Sequence, residues 1–185
     1  SGEVGINSAS SKPSFMTEVA FFRPKGRDKV TLTLQISNFD LYKGGNGSSI
    51  VLGTRQQIQS VHFRGIFLDA LLFGSFLIMS IYHLGLYIIK KRDKSALAFS
   101  IFCLLVAIRT IGFGESTMLT LMPDLGWHTF LRLVLCSFIL CAPALLSFLH
   151  HLFPDDFSRK VTTFYEVIGV LCCLLLMFPL RYSSH

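Results

Sequence analysis

Four apolar stretches, separated by short polar segments, make up most of the second two-thirds of the chain. An α-helix rises about 1.5 Å per residue, so about 20 residues cross the roughly 30 Å hydrocarbon core of a bilayer. The first stretch is the clearest, because residues 70–89 contain no Asp, Glu, Lys or Arg. The pattern predicts four antiparallel transmembrane helices within residues 65–185, at about 67–89, 95–114, 130–149 and 161–180.

The first 64 residues follow a different pattern and contain many polar, glycine and serine residues. Between residues 30 and 37 apolar and polar side chains alternate, which is typical of a strand with one buried face. Residues 15–22 and 50–52 are further strand candidates, and the glycines of segment 44–47 predict a turn. Three strands cannot close a sandwich, so residues 1–64 are predicted to be the last part of an all-β domain. The side chains predicted to be buried are Val30, Leu32, Leu34 and Ile36.

The distribution of basic residues predicts how the helices are oriented. Segment 90–94 carries four Lys or Arg residues and segment 150–160 carries two, whereas residues 115–128 carry none. Short basic loops stay in the cytoplasm. We therefore expect segments 90–94 and 150–160 inside, and residues 1–64 and 181–185 outside.

The composition agrees with a membrane protein. The chain is 51% hydrophobic and 15% charged, with a mean hydropathy of +0.56. Its net charge of +6 needs no nucleic-acid partner, because many of the basic residues lie in the predicted cytoplasmic loops. All five cysteines fall in apolar segments, which predicts packing rather than disulfides or metal ligation. The chain also begins without Met and stops after an apolar run, so we expect a fragment of a longer protein.

Three charged residues lie at similar depth near the predicted outer face: Asp69, Arg109 and Arg132. Charges inside a membrane are costly and are usually paired or drawn to the interface. One hypothesis is that Asp69 pairs with one arginine, with Arg132 favoured if the third helix lies beside the first. The alternative is that each side chain reaches the interface independently.

His83 lies deep in the first helix, where it is either a proton-sensitive switch or a neutral, hydrogen-bonded histidine. The sequence contains no catalytic triad, no H-E-x-x-H motif and no Cys-x-x-Cys motif. We therefore predict no catalytic residues, no metal site and no bound cofactor in this chain.

The order of these features resembles the bacterial seven-transmembrane receptors with diverse intracellular signalling modules. The resemblance covers most of the chain from about residue 30 onward. One departure is Val134, where we expect an acidic residue in relatives, so charge pairing cannot be copied from them. The matching motifs are Ile36-Ser37-Asn38, Gly44-Gly45, Ile50-Val51-Leu52-Gly53, Phe73-Gly74, Met79, Tyr82-His83-Leu84, Lys91-Arg92-Asp93, Arg109, Gly112, Pro123-Asp124-Leu125, Trp127, Arg132, Pro143, Phe148-Leu149, Leu152-Phe153-Pro154 and Pro179-Leu180-Arg181-Tyr182.

The resemblance implies an extracellular β-sandwich of jelly-roll type, seven helices and a cytoplasmic output module, with only the first four helices present here. It implies a receptor in the bacterial cytoplasmic membrane, with its N-terminal segment outside. The expected partners are the lipid bilayer, an extracellular small molecule (carbohydrate-like by analogy) and a signalling module such as a cyclase, kinase or phosphatase. The rival interpretation is a fragment of a transporter or membrane enzyme. Transporters concentrate polar residues and broken helices at the midplane, where this chain is mostly apolar.

Overall fold

The computed structural model describes residues 3–7, 10–11, 19–22, 31, 33–37, 39, 50–90, 93–113 and 127–177. Four α-helices are found there, and all four are long and apolar enough to cross a membrane. The four predicted spans are thus confirmed as helices, while residue 114 of the second and residues 178–180 of the fourth lie outside the described residues. The helices are α1 (Arg55–Lys90), α2 (Lys94–Phe113), α3 (Trp127–Leu152) and α4 (Arg159–Met177).

Helix α1 begins well before the apolar stretch that predicted it. Thr54 and Gln57 form a reciprocal cap: the Thr54 amide donates to Gln57 Oε1 at 3.0 Å, and the Gln57 amide donates to Thr54 Oγ1 at 3.4 Å. Residues 55–64, which the sequence pattern assigned to the β domain, are therefore helical. The chain divides into two compact units, Ser1–Gly65 and Ile66–His185.

Helix α2 starts directly after Asp93, which caps it. The Ser95 hydroxyl and the Ser95 amide both donate to Asp93 Oδ1. The hydrogen bond from the Ser95 side chain is the main reason that the pKa of Asp93 lies below its usual value. This carboxylate therefore stays ionised and fixes the point at which the basic segment turns into α2.

In unit 2 many large apolar side chains are exposed and several small or polar ones are buried, unlike in a water-soluble protein. In α1 the buried residue is the polar Ser80, whereas Ile78, Ile81 and Ile88 are exposed. Lipid is as apolar as a leucine side chain, so membrane helices associate through small residues that allow close approach. The buried residues of α2, α3 and α4 are mostly of this kind, with Phe130, Val134 and Pro143 as the larger exceptions. The small ones are Ala96, Ala98, Ser100, Cys103, Ala107, Gly112, Ser137, Thr162 and Gly169.

The extensive helix packing is α2 against α3 and α3 against α4. A Cβ atom added at Gly112 of α2 would lie 2.5 Å from Val134 Cγ2 of α3. Likewise, a Cβ atom added at Gly169 of α4 would lie 2.9 Å from Pro143 Cγ of α3. Both glycines therefore allow the helices to approach closely. Helix α3 continues through Pro143, which is buried against α4.

The predicted β domain is not confirmed by the described residues of unit 1. Residues 33–37 and 50–54 form no strand, and Leu34 and Ile36 are 53% and 52% exposed. Val30 and Leu32, the other two residues of the predicted buried face, lie outside the described residues, as do residues 15–18 and the predicted turn at 44–47. Residues 19–22, the described half of segment 15–22, form no strand. The described contacts of Ser37 are side-chain hydrogen bonds, from the Gly5 amide at 3.3 Å and with Ser11 Oγ at 3.2 Å.

Candidate functional site

Two serines join α1 and α2 by a reciprocal set of hydrogen bonds. Ser80 Oγ donates to the Ser100 carbonyl oxygen at 2.9 Å, and Ser100 Oγ donates to the Ser80 carbonyl oxygen at 2.9 Å. The two hydroxyl oxygens are 3.2 Å apart, and both side chains are buried. We call this pair the serine clamp. Because the clamp reaches backbone oxygens on both sides, it brings the two helices close together at one point.

Next to the serine clamp, a row of rings connects three helices. The His83 ring of α1 packs edge-on against Phe99 of α2, with ring centroids 4.5 Å apart. Phe99 in turn packs against Phe148 of α3 at 4.8 Å. His83 Nδ1 lies 2.9 Å from the Met79 carbonyl oxygen, which fixes Nδ1 as the protonated nitrogen. A movement of α1 would therefore reach α2 and α3 through packed rings.

Replacing Ser80 by alanine is expected to weaken the α1–α2 contact. Hydrogen bonds between membrane helices contribute about 0.6 kcal/mol on average and up to about 1.7 kcal/mol. We expect Ser80→Ala to lower the free energy of unfolding by an amount near the upper value, because the change also leaves the buried Ser100 hydroxyl with fewer hydrogen-bond partners. Ser75→Ala is the matched control, since Ser75 Oγ bonds to Leu71 of its own helix and is exposed. Thermal unfolding in detergent measures the stability of both variants. If Ser80→Ala and Ser75→Ala lower it equally, Ser80 has no special role between the helices.

Helical periodicity relates Asp69 to the side of α1 that carries the serine clamp. Asp69 is eleven residues before Ser80, which corresponds to a rotation of about 20° from the serine clamp. Arg109 is nine residues after Ser100, at nearly the same depth but on the opposite side of α2. The Arg109 guanidinium lies over the Phe138 ring of α3, with Cζ 4.5 Å from its centroid. The common depth of the three charges and the pairing of Asp69 with either arginine both stay predictions.

Arg132 is half-buried and lines a cavity of about 490 Å³ among α2, α3 and α4. The other residues around it are mainly apolar, including Leu105, Ile108 and Met177. Sequence reasoning favoured Arg132 as the partner of Asp69 only if α3 lies beside α1. The extensive contacts of α3 are instead with α2 and α4, so the condition that favoured Arg132 is not met. Arg109 lies on the side of α2 away from the serine clamp, so the geometry favours neither arginine.

Across the part of the chain that the structure describes, no cluster of three or more His, Cys, Asp and Glu side chains could hold a metal ion. The five cysteines are free thiols, and Cys173 Sγ points to the Cys136 carbonyl oxygen at 3.9 Å, which is a packing contact between α3 and α4. The arrangement is suited to conformational coupling between helices, through the serine clamp and the ring row.

Sequence reasoning identified His83 but missed Ser80, Ser100, Phe99 and Phe148. A signal was present, because both serines interrupt long apolar runs, and a hydroxyl in such a run needs a partner. Which two serines meet depends on the register of the helices and on their rotation about their axes. The hydropathy pattern carries no information on either.

Comparison with known proteins gives one match. The sequence model of a family described as 7TM diverse intracellular signalling matches residues 66–185, which include the apolar part of α1 and all of α2, α3 and α4. No curated protein and no solved structure matches the chain.

Proposed function

Since this chain belongs to the 7TM diverse intracellular signalling family, we propose that it senses a ligand outside the membrane and relays the signal to a cytoplasmic output module. It is a multi-pass membrane protein with a transmembrane signalling receptor domain. This domain type is sensory rather than catalytic, so any enzymatic activity would belong to the output module. The match over residues 66–185 is the observation that carries the proposal.

The proposed orientation has the N-terminal segment outside a bacterial cytoplasmic membrane. The support is the charge pattern: the connections 90–94 and 150–160 are basic, and the connection 115–128 is not. Residues 1–54 would then form part of an outer ligand-binding domain, for which we propose a β-sandwich and a carbohydrate-like ligand by analogy with the family. Three further helices and the output module would follow His185.

The proposed relay is a shift between two arrangements of α1 relative to α2 and α3. A ligand shifts such an equilibrium only by the difference in its affinity for the two states. Helix α1 is well suited to move, because its contacts with α2 are concentrated at the serine clamp and the His83–Phe99 pair. Phe99 would transmit the movement to Phe148 and hence to α3.

A transporter is the main alternative, and the midplane of the described helices argues against it. Transporters bind substrate at broken helices, whereas α3 remains helical through Pro143. The polar contacts at mid-depth are between serines that already satisfy one another.

His83 is proposed as a switch that makes signalling depend on pH. Protonation would place a charge between Tyr82 and Phe99 and strain the row of rings. The alternative is a histidine that stays neutral. His83→Phe keeps the ring packing, so a pH response of the output that persists in this variant would reject the switch.

The gene tests the proposed function directly. We expect it to encode three more spanning helices after His185 and then a soluble signalling module. The activity of that module should change when Ser80→Ala weakens the serine clamp, with Ser75→Ala as the control. A stop codon directly after His185, or output activity that is the same in both variants and the wild type, would contradict the proposal.

A further inference from the structure

A second cavity, polar and of about 330 Å³, lies at the end of the bundle where α2 begins, α3 ends and α4 begins. Its basic lining residues are Lys94 of α2, His150 and His151 of α3, and Arg159 of α4. Thr162, Thr163 and Glu166 of α4 complete it. At about 30 Å³ per water, the cavity has room for roughly eleven water molecules, enough for a phosphate group. We call it the basic cavity.

The charges of the basic cavity favour an anion. Lys94 and Arg159 contribute two positive charges and Glu166 one negative charge, so the formal charge is +1 with both histidines neutral. The His150 and His151 rings are held by Nδ1, which lies 2.7 Å from the carbonyl oxygens of Phe157 and Ser147 respectively. Nδ1 is thus the donor nitrogen in both rings.

The position of the basic cavity selects a lipid over a soluble anion. The cavity lies where three apolar helices end, at the level expected for lipid headgroups. Around it, Leu152, Phe153, Val161 and Phe164 are between 47% and 61% exposed, a surface on which acyl chains can pack. Basic pockets between membrane helices on the cytoplasmic side are known to bind anionic lipid headgroups.

We infer that the basic cavity binds the phosphate group of an anionic phospholipid, with Lys94 and Arg159 as its principal cationic contacts and acyl chains lying along the neighbouring apolar surface. Placement in the cytoplasmic leaflet rests on the proposed orientation. Binding itself does not, so it can be measured in detergent whichever way the protein inserts. A lipid bound there would bridge the ends of α2, α3 and α4.

The test uses the intact protein in an uncharged detergent, with short-chain phosphatidylglycerol as the probe and phosphatidylcholine as the uncharged comparison. Thermal unfolding is followed as each lipid is titrated. We expect phosphatidylglycerol to raise the unfolding midpoint at lower concentration than phosphatidylcholine does. Arg159→Gln and Lys94→Gln should each weaken the apparent affinity about fivefold, as removal of one basic contact to an anionic headgroup predicts.

Lys160→Gln is the matched control, because Lys160 is the exposed neighbour of Arg159 and does not line the cavity. It should change the affinity less than twofold, while Glu166→Gln should strengthen binding.

Equal responses to the two lipids would overturn the inference, as would equal weakening by Arg159→Gln and Lys160→Gln. A separate titration with inorganic phosphate tests whether the bound anion is a lipid. If phosphate raises the unfolding midpoint as much as phosphatidylglycerol does, and the lipid adds no further stabilisation, the lipid assignment is wrong. Each variant must keep the wild-type unfolding midpoint without lipid, and Lys94→Gln replaces Arg159→Gln if the latter does not fold.

Discussion

Replacing Gly169 by leucine is expected to separate α4 from α3 and to be among the most damaging single changes in the chain. Even a Cβ atom at this position would lie 2.9 Å from Pro143 Cγ and 3.5 Å from Leu140 Cδ2. The nearest atom belongs to a proline ring within a helix, which cannot rotate away as a flexible side chain would. Overpacking of this kind costs about 1–3 kcal/mol, and we expect the upper end of that range.

Gly74→Leu provides the control for Gly169→Leu, because a Cβ atom at Gly74 would meet no atom within 4 Å. Both changes replace a helical glycine by a better helix former, so the propensity gain of up to about 1 kcal/mol is common to both. The difference in the free energy of unfolding therefore isolates the steric clash. Similar stabilities for the two variants would show that α3 and α4 do not pack as described.

Neutralising Asp69 by Asp69→Asn is expected to impair folding or signalling strongly, because it would leave an arginine without its counter-charge inside the membrane. Breaking a buried charge pair by removing one partner costs about 3–5 kcal/mol, and Asp69 is only half-buried, so we expect less than that. We expect a double change that also removes the partner arginine, Arg109→Gln or Arg132→Gln, to recover part of the loss.

Two double-mutant cycles are measured side by side, Asp69→Asn with Arg109→Gln and Asp69→Asn with Arg132→Gln. The arginine with the larger coupling energy to Asp69 is its partner. Coupling energies between contacting residues are about 0.5–3 kcal/mol, which a stability assay can resolve. If neither arginine couples to Asp69, the three side chains reach the interface independently.

The transmembrane helices were predictable from the sequence because the hydropathy of a segment largely determines whether it crosses a bilayer. Inside the bilayer every backbone N–H and C=O group needs a hydrogen bond within the protein. An apolar run of about 20 residues meets this need by forming a helix. The start of α1 was misplaced because hydropathy ignores local capping. Thr54 and Gln57 fix the helix start twelve residues before Phe67, where the apolar stretch was taken to begin.

The contacts between helices were much less predictable. The serine clamp depends on the rotation of α1 and α2 about their axes, and Gly169 meets Pro143 only in one register of α3 and α4. The alternation in residues 30–37 predicted a strand with a buried face. A buried face requires a partner surface, and Leu34 and Ile36 remain about half exposed. Pattern alone therefore predicted the apolar helices, but neither a confirmed strand nor the contacts between helices.

The central claim is a receptor domain whose N-terminal segment faces the outside, and cysteine-accessibility labelling of the intact protein in cells tests it most directly. The five native cysteines are first replaced, and one cysteine is then placed at Gly47 or at Lys94. With a reagent that does not cross the membrane, we expect labelling at position 47 and none at position 94 until the membrane is made permeable. Labelling of position 94 from outside, or protection of position 47, would contradict the proposed orientation and with it the direction of signalling.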